Sequence, residues 1–167
     1  MLYDLTMASP IGPLLIVDNG QSLLGVWMHQ QKYFANSIQL DKLTHQTSDL
    51  TKQTSAWLTN YFAGQHPTIS KLPLDPQITD FQKRVLKILI KIPYGKTWTY
   101  KEIAQELGSK NYTRAIGQAV GHNPISIIIP CHRVVGTNGN LTGYAGGIER
   151  KKFLLKFEQD HTKKSPE

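Results

Sequence analysis

Cysteine is almost absent from this chain: of 167 residues, only Cys131 carries a thiol. One thiol excludes an internal disulfide and a zinc site built on several cysteines. It also leaves no second thiol to reverse a modification of the first. Long apolar runs are missing too. None approaches the roughly 20 residues that a membrane-spanning helix needs, and the N-terminus lacks a basic-then-apolar signal segment. These absences predict a soluble, cytoplasmic protein with no membrane partner. Acidic residues are few, 12 against 19 lysines and arginines. The resulting net charge of +7 and pI near 9.5 suit a polyanionic partner such as nucleic acid, although composition alone does not separate this from a surface of solvated lysines. A hydrophobic content of 40% is enough for a real core in one domain or a small pair.

The first third alternates short apolar runs with turn chemistry. Leu2 to Met7, Leu14 to Val17 and Leu23 to Met28 are separated by Ser9-Pro10-Ile11-Gly12 and Asp18-Asn19-Gly20, which predicts an antiparallel meander of three strands. From Asp49 the period becomes helical, with Leu50, Trp57, Leu58, Tyr61 and Phe62 on one side and Gly64 as a stop. Residues 66–76 hold Pro67, Pro73 and Pro76 without a clear period and read as a linker. The expected division is therefore a small N-terminal α/β domain with its linker, residues 1–76, and a second domain over 77–167.

The second part is more explicit. Thr79 and Gln82 form a capping box ahead of Phe81, Val85, Ile88 and Leu89, and Pro93 and Gly95 end that helix. A second capping box, Thr99 with Glu102, opens a short helix closed by Gly108. After a Ser-Lys-Asn connection a third helix runs from about Tyr112 to Gly121, and two short helices on a tight turn form the helix-turn-helix pattern. Gly117 and Gly121 share a face of that third helix, with Ala115 and Ala119 alongside, although a glycine costs a helix interior about 1 kcal/mol relative to alanine. Either tight helix packing or close approach to a ligand backbone would need such a face, and Arg114 at the helix start favours a DNA groove.

The chain then reaches its only thiol. Asn123-Pro124 makes a turn, and Ile127, Ile128 and Ile129 predict a buried β-branched run leading to Pro130, Cys131, His132 and Arg133. A free thiol is only about 3% thiolate at neutral pH, and a neighbouring imidazolium raises that fraction, so His132 and Arg133 are read as the positive surroundings of a nucleophile. The plain alternative is a small buried hydrophobe. Beyond it, Val134 and Val135 begin a strand, residues 136–140 are turn-rich, and Leu141 to Tyr144 returns, a hairpin of the kind that forms a wing. A last helix carries Ile148, Phe153, Leu154, Leu155, Phe157 and Glu158 before a polar tail from Gln159.

Taken together, these residues resemble the O6-alkylguanine-DNA alkyltransferase family, the methylated-DNA–protein-cysteine methyltransferases. The resemblance rests on Pro130-Cys131-His132-Arg133-Val134 with its isoleucine run and Asn123-Pro124. It continues through the helix pair from Tyr100 to Arg114 and through Tyr144-Ala145-Gly146-Gly147 with Glu158 downstream. It spans about Phe81 to Glu158 and departs at Leu86, where many members carry Trp, and at Ala145, where Ser is common. It implies an α+β fold: a small N-terminal α/β domain with antiparallel strands, and a C-terminal winged helix-turn-helix-like alkyltransferase domain.

The implied reaction transfers an alkyl group from O6 of guanine in double-stranded DNA to Cys131. His132 acts on the thiol through a water, because neighbours on an extended chain point apart, and Glu158 orients its other nitrogen. Tyr100 gives a proton to the departing base. The main-chain carbonyls of Cys131 and Val134 read the guanine amine, the Ala145 amide in the Ala145-Gly146 turn faces O6, Tyr144 closes one side, and Asn123 holds the turn. Arg114 fills the stack from which the base is flipped, while Thr113, Ala115, Gly117, Gln118 and Gly121 meet the minor groove. The product thioether is stable, so each molecule acts once, as a monomer, with neither metal nor organic cofactor. Two rivals stand beside this reading: a non-catalytic, lesion-binding or regulatory helix-turn-helix protein, and a cysteine hydrolase that turns over without DNA.

Overall fold

The computed structural model describes residues 1–108, 113–141 and 143–162. The chain divides into two compact units, one of Met1–Ile78 with Pro124–Ile128, the other of Thr79–Asn123 with Ile129 onward. The sequence reading placed the isoleucine run with the second part; in the structure most of it belongs to the first.

In the first unit, β1 (Tyr3–Met7), β2 (Leu14–Asp18) and β3 (Leu23–Met28) form the expected antiparallel meander. Register runs from Tyr3 opposite Asp18 to Met7 opposite Leu14, and from Leu14 opposite Met28 onward. Helix α1 (Asp49–Phe62) starts at a capping box of Ser48 and Thr51 that the sequence reading did not use. The buried Asp18 carboxylate ties this start to the β2–β3 turn, accepting from the Gly20 amide at 2.7 Å and from the Ser48 hydroxyl at 2.7 Å. Gly25 lies under Trp27, where an added Cβ would stand 2.0 Å from the indole ring.

An open β3 edge would leave a row of unpaired amides and carbonyls. Two segments pair with it instead. Leu74, inside the expected linker, bridges Leu23 in parallel, with hydrogen bonds of 2.7 and 2.9 Å on either side. Ile125 bridges Val26, whose amide donates to the Pro124 carbonyl and whose carbonyl accepts from Ser126. Ile127 then takes φ +71°, an uncommon conformation for a β-branched residue, and the expected strand through the isoleucines is a chain of turns.

In the second unit, α2 (Asp80–Leu89), α3 (Tyr100–Leu107) and α4 (Thr113–Gly121) pack on one another, and both expected capping boxes are present. Gly108 closes α3 at φ +91°. The Ser109–Asn111 connection and Tyr112 lie outside the described residues. Strand β4 (Trp98–Thr99) pairs in parallel with β5 (Val134–Val135). The expected partner of β5 was the returning Leu141–Tyr144 segment, but none of its described residues is a strand; the Gly136 amide closes the intervening turn on the Asn140 carbonyl at 2.8 Å. Helix α5 (Ile148–Asp160) follows, and the polar tail beyond Thr162 lies outside the described residues.

Candidate active site

Cys131 opens a single 3-10 turn, Cys131–Arg133, that leads into β5. This corrects the extended chain expected there, so the argument that placed Cys131 and His132 on opposite faces does not apply. Pro130 disfavours helical backbone in the preceding Ile129, which limits the turn on that side, and the pairing of Val134 with Trp98 fixes its exit. The thiol is buried, and burial pushes its pKa up. Opposing that rise are a hydrogen bond from the Asn123 side chain, the positive charge of Lys151, and the amides of Cys131 and His132. The resting thiol is therefore protonated, not primed as a thiolate.

His132 is fully buried and its Nε2 lies 2.6 Å from Glu158 Oε2. A carboxylate only accepts, so Nε2 carries the hydrogen and Nδ1 is the basic nitrogen. Nδ1 has no hydrogen-bond partner among the described residues. Burial lowers the imidazole pKa against the pull of Glu158, with Arg133 and Lys151 also lowering it. The imidazolium expected beside the thiol is thus absent at neutral pH. Arg133 is the second correction: its guanidinium does not face the thiol but grips Glu158, Nε to Oε1 at 2.8 Å and Nη2 to Oε2 at 3.0 Å. These partners hold the Glu158 carboxyl far below the usual carboxylate range in spite of its burial. The Gly95 amide adds a bond to Oε1 at 3.0 Å; Gly95 sits at φ +77°, and a Cβ there would meet the Thr162 hydroxyl at 2.3 Å.

The positive charge near the thiol comes from Lys151, which sequence reasoning missed. Lys151, Leu154 and Glu158 form the buried face of α5, at i, i+3 and i+7, while the apolar Ile148 and Phe153 are exposed. Burial lowers the Lys151 pKa to about 8, and its Nζ sits 5.9 Å from the centre of the Tyr144 ring. That spacing was legible, but a lysine on a lysine-rich helix reads as solvated.

The other expected residues fall into two groups. Near the thiol, Tyr144 is buried and its hydroxyl pKa is raised well above the ordinary value by burial and then by the Cys131 charge. Tyr100, first residue of α3, is raised in the same order of causes and lines a cleft of about 370 Å³ with Lys101, Ala104, Thr113, Gly136 and Thr137. Asn123 is buried and donates to the Ile129 carbonyl at 2.9 Å, closing the turn from α4. The Cys131 carbonyl accepts the Val134 amide, which leaves one lone pair. Ala145 and Gly146 form a half-buried turn before α5, with the Gly147 amide bonded to the Tyr144 carbonyl at 3.0 Å.

The second group is on α4. Thr113, Arg114, Ala115 and Gln118 are exposed and Gly117 and Gly121 half-buried, whereas Ala119 faces the core with Ile116 and Val120. Among the described residues, a Cβ at Gly117 would touch nothing within 4 Å, and one at Gly121 only the Gly143 carbonyl at 3.8 Å. Packing within the unit therefore does not require either glycine. Among the described residues no three His, Cys, Asp or Glu side chains are grouped to hold a metal ion.

Comparison with known proteins covers both parts of the chain. Residues 80–160 match the 6-O-methylguanine DNA methyltransferase DNA binding domain, and residues 1–76 match the ribonuclease-like domain of the same family. A methylated-DNA–protein-cysteine methyltransferase of Mycobacterium tuberculosis is 46% identical over 161 residues, 95% of this chain and 93% of that protein. One from Methanosarcina barkeri is 43% identical over 161 residues, 96% and 99% of the two chains. The crystal structure of the M. tuberculosis protein in complex with DNA superposes with a TM-score of 0.86 at 43% identity, over 95% of this chain and 94% of that one. With both halves matched and relatives aligned over nearly their full length, the chain belongs to the 6-O-methylguanine DNA methyltransferase family.

Proposed function

We propose that this protein repairs DNA by moving an alkyl group from O6 of guanine in a duplex onto Cys131, once per molecule. The observation that carries this reading is the buried Pro-Cys-His-Arg turn, in which the ring paired with Glu158 presents a basic, unpartnered Nδ1 one residue from the thiol. The thiol proton passes through an intervening water to that nitrogen as sulfur forms its bond to carbon and the carbon–O6 bond breaks. The electron pair left on guanine is met by a proton from Tyr100, whose raised pKa keeps it a donor at neutral pH. Lys151 stabilises the negative charge developing on sulfur. The second lone pair of the Cys131 carbonyl and the Val134 carbonyl accept from the guanine amine. The Ala145 amide faces O6, the Ala145-Gly146 turn and Tyr144 border the base, and Asn123 holds the turn.

A base stacked in a duplex cannot reach a buried thiol, so it is flipped out and Arg114 occupies its place. The open face of α4, with Thr113, Ala115, Gly117, Gln118 and Gly121, lies in the minor groove, where the missing Cβ atoms permit close approach. The N-terminal domain is residues 1–76 and the catalytic one 77–167. We place the protein in the cytoplasm, a reducing compartment that suits a lone thiol, and propose that it acts as a monomer.

Intact-protein mass spectrometry tests the reading. After incubation with a duplex containing one O6-methylguanine, the expected product carries a single added methyl that maps to Cys131 and saturates at one per molecule, and Cys131→Ser gains none. An unchanged mass with tight lesion-dependent binding would replace this reading by the recognition-only one.

A further inference from the structure

We propose that Arg133 is a positioning residue for the reaction, which fixes the Glu158 carboxylate and balances its charge so that His132 stays neutral and free to accept a proton. The inference rests on His132 being the acceptor for the Cys131 proton and adds the group that sets its charge. On the Glu158 carboxylate converge hydrogen bonds from His132 Nε2 at 2.6 Å, Arg133 Nε at 2.8 Å, Arg133 Nη2 at 3.0 Å and the Gly95 amide at 3.0 Å. The remaining arm of the fork, Nη1, donates to the Ile92 carbonyl at 2.8 Å, and the Tyr94 ring centre lies 5.5 Å from the guanidinium carbon. The arginine is thereby held from both sides, by the loop after α2 and by α5.

A buried histidine facing a carboxylate alone would draw a proton at neutral pH and form an ion pair, and its basic nitrogen would then be occupied. With a bidentate guanidinium on the same carboxylate that negative charge is already balanced, and a proton on His132 would add a net buried charge. The groups facing this cluster come from every element around it: Cys131 and Arg133 from its own turn, Glu158 and Lys151 from α5, Tyr94 from the loop after α2, and Tyr144 from the turn before α5. Of these groups, Glu158 alone favours the imidazolium. Burial, Arg133 and Lys151 oppose it, and the ring pKa falls below its ordinary value.

The test follows His132 by ring-¹⁵N NMR titration alongside the pH profile of methyl transfer from an O6-methylguanine duplex. In Arg133→Gln the His132 midpoint is expected to rise by about one pH unit or more, and the acid limb of the transfer rate to move with it. Arg133→Lys keeps a cation without the fork, so both should move in the same direction by a smaller, measurable fraction of that. If arginine served only as a brace, both variants would lose stability and rate while the midpoint and the limb stayed in place, and that result overturns the proposal. Should Arg133→Gln yield no folded protein, Arg133→Lys decides alone: a raised midpoint supports the proposal and an unmoved one overturns it. A midpoint that rises while the acid limb stays put would support charge-setting by Arg133 but overturn His132 as the proton acceptor.

Discussion

At the scale of single residues, the site works against the thiol at rest. Burial outweighs every positive influence on Cys131, so the sulfur keeps its proton and is shielded from the oxidation to which exposed thiolates are prone. Reactivity then has to arise when the alkylated base arrives, from a base that can take the proton and a cation that can meet the charge. Lys151 supplies the second, and its replacement makes this measurable. In Lys151→Met the thiol pKa should rise further, and the transfer rate at neutral pH should fall about tenfold for each unit of that rise. The deficit should close as pH is raised through about 8, because Lys151 then loses its own charge in the unsubstituted protein and the thiolate forms without help. Single-turnover rates between neutral and alkaline pH check this; a deficit that stays constant with pH would mean that Lys151 orients the substrate and does not stabilise the sulfur. The sequence pointed to Cys131 and His132 through a local motif, whereas Glu158, 26 residues from His132, was reached only through the family resemblance. Arg133 was misassigned, because the partner that claims the guanidinium lies 25 residues away.

At the scale of elements, helix ends were the most legible features. A capping box is complete within four residues, so Thr79 with Gln82 and Thr99 with Glu102 announce α2 and α3 without any tertiary contact. The parallel pairing of β4 with β5 was not legible, since two residues per strand carry no period and their partners are 36 residues apart, as Trp98 and Val134 show. Helix α4 lies between these cases. Its glycines were visible, but the sequence left packing and a ligand as alternatives; among the described residues a Cβ at Gly117 would meet nothing, which removes packing as the reason there. Gly117→Ala should therefore stabilise the folded protein by about 0.5–1 kcal/mol in urea unfolding, since an unobstructed helix interior favours alanine. The same change should weaken duplex binding about fivefold or more, near 1 kcal/mol, as the methyl enters the groove. Stabilisation without loss of binding would move the DNA face elsewhere. On the same helix, Arg114→Ala should slow repair of duplex DNA far more than reaction with a free alkylguanine base, which needs no flipping. Equal slowing of both would remove Arg114 from that role.

At the scale of the whole molecule, one cysteine makes the protein a reagent consumed by its own reaction, so it has to remain folded and receptive until a lesion is met. The buried ionic cluster couples that waiting state to pH, and its contributions have definite signs. His132 has a folded pKa below its ordinary value, so as pH falls through about 6.5 the unfolded chain binds a proton that the native protein refuses. Stability should then decline on acidification, with a slope approaching about 1.4 kcal/mol per pH unit. Below about pH 4.3 the depressed carboxyl of Glu158 adds a further loss of the same sign, because the unfolded glutamate is protonated there and the native one is not. On the alkaline side two groups act in opposition. Lys151, lowered to about 8, makes stability rise with pH as the unfolded lysine holds a proton that the native one has lost. Cys131, raised, makes it fall, because the native thiol keeps a proton that the unfolded one has given up. The acid limb is therefore the clean one. Urea unfolding of the intact protein between about pH 7.5 and 5 should show the decline, and His132→Gln should flatten it by removing a group that the unfolded chain protonates more readily than the native one. A His132→Gln variant that keeps the full slope would place the acid sensitivity in some other group and would mean that the imidazole is already charged in the native state.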